Sequence, residues 1–175
     1  ALLVAARIKL AEEHLEEAAT LLLQIPEDQR TPEILQLLAN TLIRSGHSAE
    51  AREILTRLIE ADPASVSFRT QRLKILTELE AWADAEEDAE IVLLNDPNCG
   101  QARLARGMLL ALAGNHSAAL EDLESDTVRA LDTPVIIWTR SRCLLAVARS
   151  TQAAAELTRL LELAPEHDPG RLARA

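Results

Sequence analysis

Few residues in this chain of 175 have the type and spacing that catalysis or metal binding needs. His47 and His116 each precede a serine in a turn between predicted helices, so they recur because the turn recurs. His14 lies among glutamates, as on a solvated helix face, and Cys99 and Cys143 are too far apart for a typical metal-binding pair. The sequence has no glycine-rich phosphate loop and no zinc-protease helix motif. We therefore predict a protein that is not an enzyme and that needs no cofactor or metal.

The composition predicts an all-α protein. Hydrophobic residues make up 48% of the chain and charged residues 26%, while aromatic residues make up only 2% and there are 5 glycines. Leu and Ala, which dominate, are strong helix formers with little preference for strands. No apolar stretch is long enough to cross a bilayer, so we expect no membrane insertion.

Charge and thiols narrow the expected partners and surroundings. The net charge of -10 disfavours binding to nucleic acid, because a polyanion is repelled. Two free thiols favour the cytoplasm over the periplasm, although two cysteines are a weak guide. The large excess of Arg over Lys is typical of GC-rich bacteria.

A period of about 34 residues organises most of the chain. It is marked by an alanine near the start of alternate predicted helices, namely Ala51, Ala85, Ala119 and Ala153. It is also marked by a proline after such a helix, namely Pro63, Pro97 and Pro165. Ala18 lies one residue closer to Ala51 than this period requires, which predicts a one-residue difference in the first unit.

Each unit is predicted to contain two amphipathic helices, A and B. In the second unit, Leu35, Leu38, Ala39 and Leu42 fall on one helical face and Gly46 ends that helix. Thr31, Ser48, Ser117, Thr133 and Thr151 are predicted to cap helix starts, and Asn98 with Gln101 to form a capping box. Small residues of both helices, such as Gly107 and Ala119, are expected to allow close approach of A to B.

This pattern resembles the tetratricopeptide repeat family. The fourth unit matches best, through Gly107, Leu110, Gly114, Ala119 and Leu123, although the family's usual tyrosines are missing. The resemblance implies a right-handed α-solenoid of about five 34-residue helix-turn-helix repeats. We expect one repeat domain over residues 1–175, with repeats at approximately 1–31, 32–65, 66–99, 100–133 and 134–167.

The C-terminal residues echo an earlier helix A. Gly170–Ala175 resembles Ala102–Gly107, so residues 168–175 are expected to start a truncated sixth repeat. The chain would then be a fragment of a longer protein, and the alternative is a tail with chance similarity. A last repeat without a polar cap would expose Leu157, Leu160 and Leu161 and favour homo-oligomers.

In the family that the chain resembles, helices A line the concave groove. Helices A of units two to five carry more basic than acidic residues, and helices B carry more acidic than basic residues. One interpretation is a basic groove. The favoured alternative is structural: the arginines sit beside the A–B seam, where Asp88 and Asp122 are available to pair with them. The arginines in question are Arg69, Arg72, Arg103, Arg106 and Arg140.

The resemblance also selects candidate groove residues for a protein or peptide partner. They are Gln36, Asn40, Arg44, Lys74, Met108, Trp138 and Arg142, with Leu112 and Leu145 nearby. One half is polar and the other apolar, which suits a peptide with an acidic end and a hydrophobic end. The family's carboxylate clamp is poorly reproduced, which disfavours chaperone tails. The alternative function is a non-catalytic region of a larger enzyme, such as a transferase, that positions substrate or mediates dimerisation.

Overall fold

The computed structural model describes residues 1–165, and these fold into α-helices with no β-strand in that range. The helices are α1 Leu2–Ala11, α2 Leu15–Leu23, α3 Pro32–Arg44, α4 Ser48–Ala61, α5 Val66–Glu78, α6 Trp82–Asn95, α7 Gly100–Leu112, α8 His116–Leu123, α9 Asp126–Arg129, α10 Pro134–Ala146 and α11 Ser150–Leu163. A short 3-10 helix spans Glu27–Gln29. The predicted all-α class is confirmed.

The turns between helices A and B repeat with the predicted period. Gly46, Glu80, Gly114 and Ala148, which follow one another at intervals of one period, all have positive φ angles, of 83°, 54°, 78° and 62°. Glu13 occupies the same place in the first unit, one residue closer to Gly46 than the period requires. In each turn the next N–H donates to a carbonyl five residues earlier, as from His47 to Leu42 and from Arg149 to Leu144. The helix-turn-helix repeat, with a first repeat that is one residue shorter, is thus confirmed.

These turns, rather than capping side chains, determine where three of the helices B begin. Helices α4, α8 and α11 start directly after the turn that holds the left-handed residue, so their N-caps are His47, Asn115 and Arg149. None of these three makes a side-chain capping bond, and the caps predicted at Ser48, Ser117 and Thr151 were wrong. The backbone of the turn fixes where these helices begin. Thr133 does cap α10, accepting from the Ile136 N–H.

Small residues permit the close packing of A on B. Ala51, Ala85, Ala119 and Ala153 are all completely buried. A Cβ placed on Gly107 of α7 would lie 2.9 Å from the Leu123 side chain of α8. Real Cβ atoms essentially never approach so closely, so a larger residue at position 107 would force the Leu123 side chain or the two helices to shift.

The chain divides into two compact structural units, each larger than a single repeat. The first unit is Ala1–Ile75 and the second unit is Leu76–Ala175. The first unit has an apolar core built from α1 to α5, including Leu22, Leu38 and Leu55. The core of the second unit is built from α7 to α11, including Leu104, Leu123 and Leu144.

The predicted sixth helix at residues 168–175 and His167 lie outside the described residues. Near the end of α11, Leu161 is half-exposed as predicted. Leu160 is fully buried, so its predicted exposure was wrong.

Candidate protein-interaction surfaces

The candidates of the first unit lie on α3 and α5. Gln36, Asn40 and Arg44 are spaced four residues apart along α3, which places them on one helical face. Gln36 is half-buried, and the other two are on the exposed side of the helix. The Arg44 guanidinium pairs with the Glu13 carboxylate of the turn between α1 and α2. Lys74 is exposed on α5. This unit therefore presents polar side chains, and Arg44 among them already has an intramolecular partner.

Met108 is a correction to the candidate set. It is only 4% exposed and belongs to the core of the second unit, with Leu104 and Leu144. The unbranched Met side chain fills space between helices here, which is its commonest use in a core. A partner has no access to it in this structure.

A stripe on α10 contains the remaining candidates of the second unit. Trp138, Arg142 and Leu145 follow one another at spacings of four and three residues, so they share a helical face. Trp138 is half-buried, Arg142 is exposed and Leu145 is 52% exposed. Arg142 has no ion-pair partner among residues 1–165. The stripe combines an indole ring, a guanidinium group and an aliphatic side chain.

The other arginines of α7 and α10 serve the fold, as the structural interpretation predicts. Arg103 donates to the backbone carbonyl of Pro97 through Nε, at 2.6 Å. Arg106 binds the buried Asp122 carboxylate through two hydrogen bonds of 2.7 and 2.8 Å. The side-chain hydrogen bond to Asp122 raises the pKa of Arg106 above its ordinary value. Of the arginines on these two helices, Arg142 is therefore the one left available to a partner.

Arg140 is the most buried arginine of this set, with no exposed side-chain surface. Its Nη1 donates to Asp132 at 2.9 Å and its Nη2 to Glu156 at 2.7 Å. Burial acts to lower the pKa of Arg140, but the hydrogen bonds to Asp132 and Glu156 outweigh it and raise the pKa. The two carboxylates therefore favour the charged form of the guanidinium.

The sequence interpretation missed the carboxylates that hold Arg140. Glu156 lies one period after Asp122, so the repeat alone would have paired it with Arg140. Asp132 had no such signal. It reaches Arg140 because the helix after α7 is interrupted: α8 ends at Leu123, and α9 starts only at Asp126. Ser125 supports this interruption by donating its hydroxyl to the Asp122 carbonyl at 2.7 Å.

A cleft runs between α6 and α7 in the second unit. It consists of two depressions of about 320 and 350 Å³ that share Leu109 in their walls. Trp82, Leu109 and Leu112 supply apolar lining, and Glu86 and Glu90 lie along one side. Leu112 is 71% exposed. Neither Glu86 nor Glu90 has an ion-pair partner among the described residues. The sequence interpretation placed Leu112 with the α10 candidates and did not find this cleft.

A serine, a histidine and a glutamate meet at the first A–B turns, but not as a catalytic relay. Ser45 Oγ lies 2.9 Å from His47 Nδ1, and Glu16 lies 3.7 Å from the same nitrogen. A hydrolase relay needs the acid and the nucleophile on opposite ring nitrogens. This group therefore lacks the geometry for that chemistry.

The cysteines also lie apart from any described site. Cys143 is 1% exposed, and burial raises the pKa of its thiol, which makes it an inert core residue as predicted. Within residues 1–165, no cluster of three or more His, Cys, Asp or Glu side chains is placed to hold a metal ion. Over the same residues, no helix is both long and apolar enough to span a membrane.

These features define a class: an α-helical repeat protein built from helix-turn-helix units of about 34 residues. Two models of the tetratricopeptide repeat match it, one at residues 32–65 and one at residues 72–132. Together they span more than half of the chain. The chain belongs to the tetratricopeptide repeat family, and as such is a repeat protein of the protein-interaction type.

Solved structures share this fold at low sequence identity. MamA from AMB-1 superposes with a TM-score of 0.67 at 14% identity, over 98% of this chain and 94% of that chain. MamA from residue 41 to its end, from Desulfovibrio magneticus RS-1, gives a TM-score of 0.66 at 17% identity, over 94% of this chain and 93% of that chain. No curated protein sequence matches the chain.

Proposed function

We propose that the chain is a protein-interaction scaffold that binds a partner segment through exposed residues of its helices A. The observation that carries this proposal is the stripe of Trp138, Arg142 and Leu145 on α10. The neighbouring arginines Arg106 and Arg140 are held by carboxylates, whereas Arg142 is exposed and has no ion-pair partner in residues 1–165.

The chemistry of this stripe indicates its partner. A half-buried indole and an exposed leucine favour apolar side chains, and aromatic residues with arginine are enriched at interface hot spots. The guanidinium favours a carboxylate, which it can grip with two donors. The suited partner is a peptide segment with an acidic group about one helical turn from a hydrophobic residue. In the first unit, Gln36, Asn40, Arg44 and Lys74 stay proposed polar contacts. Met108 no longer belongs to the set.

The organisation around these surfaces also stays a proposal. We propose a single repeat domain over residues 1–175 with the five repeat boundaries given above.

Tryptophan fluorescence tests the α10 stripe directly. The chain has 2 tryptophans, so Trp82→Phe leaves Trp138 as the only one. We expect a peptide of Glu and Leu residues to give a saturable change in Trp138 emission. Arg142→Glu should weaken the binding at least about tenfold, because attraction to the carboxylate becomes repulsion. Trp82 is half-buried and Arg142 is exposed, so circular dichroism should show an unchanged helix content in both variants.

The matched control reverses a different exposed arginine, Arg7→Glu on α1, and should leave the affinity unchanged. The proposal fails if no saturable change occurs. It fails equally if a peptide of Lys and Leu binds the Trp138 stripe as tightly, or if both arginine variants weaken binding to the same extent.

A further inference from the structure

We infer that the cleft between α6 and α7 is a second docking surface, for a short basic and hydrophobic segment of a partner protein. This surface differs from the α10 stripe in position and in the sign of its charge. The inference rests on three observations within the second unit: the shape of the cleft, its apolar lining, and the carboxylates of Glu86 and Glu90, which have no ion-pair partner among residues 1–165.

The lining residues follow helical spacing on both walls. On α6, Trp82, Glu86 and Glu90 recur every four residues, and on α7, Leu109 and Leu112 are three residues apart. Eight residues of α6 separate Trp82 from Glu90, so the cleft extends for roughly 12 Å along the helix. That length accommodates about two turns of a helical peptide, with one or two apolar side chains facing the cleft.

The apolar lining is accessible to such side chains. Leu112 is 71% exposed, although it is a large aliphatic residue, and Trp82 and Leu109 are half-buried. An exposed leucine alone needs no explanation, because soluble proteins expose many. Here the leucine borders a shallow depression of about 320 Å³ together with Trp82 and Leu109, so a partner side chain can contact more than one apolar residue there.

The charge beside the cleft selects the partner. Glu86 and Glu90 of α6 face the larger depression, and α6 has no Lys or Arg. Arg106 also borders that depression, but its guanidinium is bound to Asp122 through both Nε and Nη2. The field in the cleft is therefore negative, and Lys or Arg side chains flanking an apolar residue complement it.

A second copy of the chain is a poorer occupant. The chain has a net charge of -10, so two copies repel each other on average, and the acidic cleft adds to that repulsion. A basic partner segment instead gains from both the cleft and the overall charge. This reasoning commits the surface to a partner of opposite charge.

The binding test uses Trp82 as the reporter. In a Trp138→Phe variant, a helical peptide of Lys and Leu with the leucines on one face should change the Trp82 emission saturably. Its affinity should fall as salt rises from about 0.05 to about 0.5 M, because salt screens the carboxylates. The same peptide with Glu in place of Lys should not bind. A missing response to the Lys peptide, or equal responses to both peptides, would overturn the inference.

Paired variants locate the binding on the molecule. Glu86→Lys with Glu90→Lys should weaken the Lys peptide at least about tenfold. The matched control, Glu53→Lys with Glu60→Lys, makes the same charge change on exposed residues of α4 and should have a much smaller effect. Equal losses in the two variants would show attraction to any acidic surface and would overturn the site.

A second pair tests the apolar lining. Leu112→Asp should abolish binding, whereas Leu94→Asp, at a residue 84% exposed and away from the cleft, should not. Sedimentation would overturn the inference if the unmodified chain dimerises and Leu112→Asp alone makes it monomeric. Arg142→Glu should leave the Lys peptide bound, so failure of the α10 proposal and failure of this one are separable.

Discussion

The helix pair α3–α4 and the later pairs α7–α8 and α10–α11 fill one position of the repeat with opposite chemistry. In the first unit, Leu38 of α3 and Ile54 of α4 belong to the apolar core and are 0% and 8% exposed. Two periods later, the same positions are Arg106 and Asp122, and three periods later they are Arg140 and Glu156. Arg140 and Glu156 are as buried as the apolar pair, at 0% and 8% exposed. The A–B contact therefore tolerates either kind of pair.

The apolar pair and the ion pair differ in how many neighbouring polar groups each one needs. An apolar pair is satisfied by packing alone. A buried ion pair is costly unless its remaining donors and acceptors are also bound, and in this pair the buried Arg140 Nε has no hydrogen-bond partner. Asp132 binds Arg140 as well as Arg159, and Glu156 binds Arg129 as well as Arg140. The α10–α11 pair thus needs a network of charged groups where the α3–α4 pair needs two apolar side chains.

The largest expected effect comes from removing Arg140. Arg140→Ala leaves the Asp132 and Glu156 carboxylates without their buried partner, so it should lower the free energy of unfolding by about 3–5 kcal/mol. Arg142→Ala, two residues away and exposed, should stay within about 0.5 kcal/mol of the unmodified chain. Urea denaturation followed by circular dichroism measures both. Similar values for the two variants would contradict the network.

A smaller effect is expected at the fourth repeat, and it can be reversed. Arg106→Leu leaves the buried Asp122 unpaired and should cost about 1–3 kcal/mol, reduced because the arginine is half-exposed and screened by solvent. Adding Asp122→Ile reproduces the apolar pair of the first unit and should recover most of that loss.

Urea denaturation also measures the stability of the double variant Arg106→Leu with Asp122→Ile. Additive losses from the two substitutions would mean that the apolar solution depends on the surroundings of α3 and α4, and the two pairs would not be interchangeable.

The smallest expected effect concerns the A–B turns, where glycine in some repeats and a larger residue in others occupies the position with positive φ. Gly46 and Ala148 occupy equivalent positions with positive φ, and only the glycine is free of strain there. Ala148→Gly should therefore raise the free energy of unfolding by up to about 1 kcal/mol. Ala155→Gly, at an exposed position inside α11, should lower it by about 1 kcal/mol. A destabilising Ala148→Gly would show that the left-handed turn is not strained.

The sequence predicted the fold more fully than the candidate sites. The alanine period gave the helix pairs, the shortened first unit and the close packing at Gly107, because each is a local or repeating requirement of chain geometry. Pairing of Asp122 with one of the arginines beside the A–B seam was also predicted, and the structure shows it with Arg106. Met108 was misplaced, because the periodicity identified its helix face but not which neighbouring helix covers that face.

The sequence by itself determined the helix-turn-helix repeat and its period, since helix propensity, small residues and turn residues act over short distances along the chain. Only the tertiary structure decided which charged side chains are occupied. The sequence placed Arg106 and Arg140 beside the A–B seam and Arg142 among the groove candidates, but only the structure shows that the first two reach carboxylates and the third does not. The α6–α7 cleft was also decided only by the tertiary structure, because its walls belong to different repeats and its shape depends on how those helices pack.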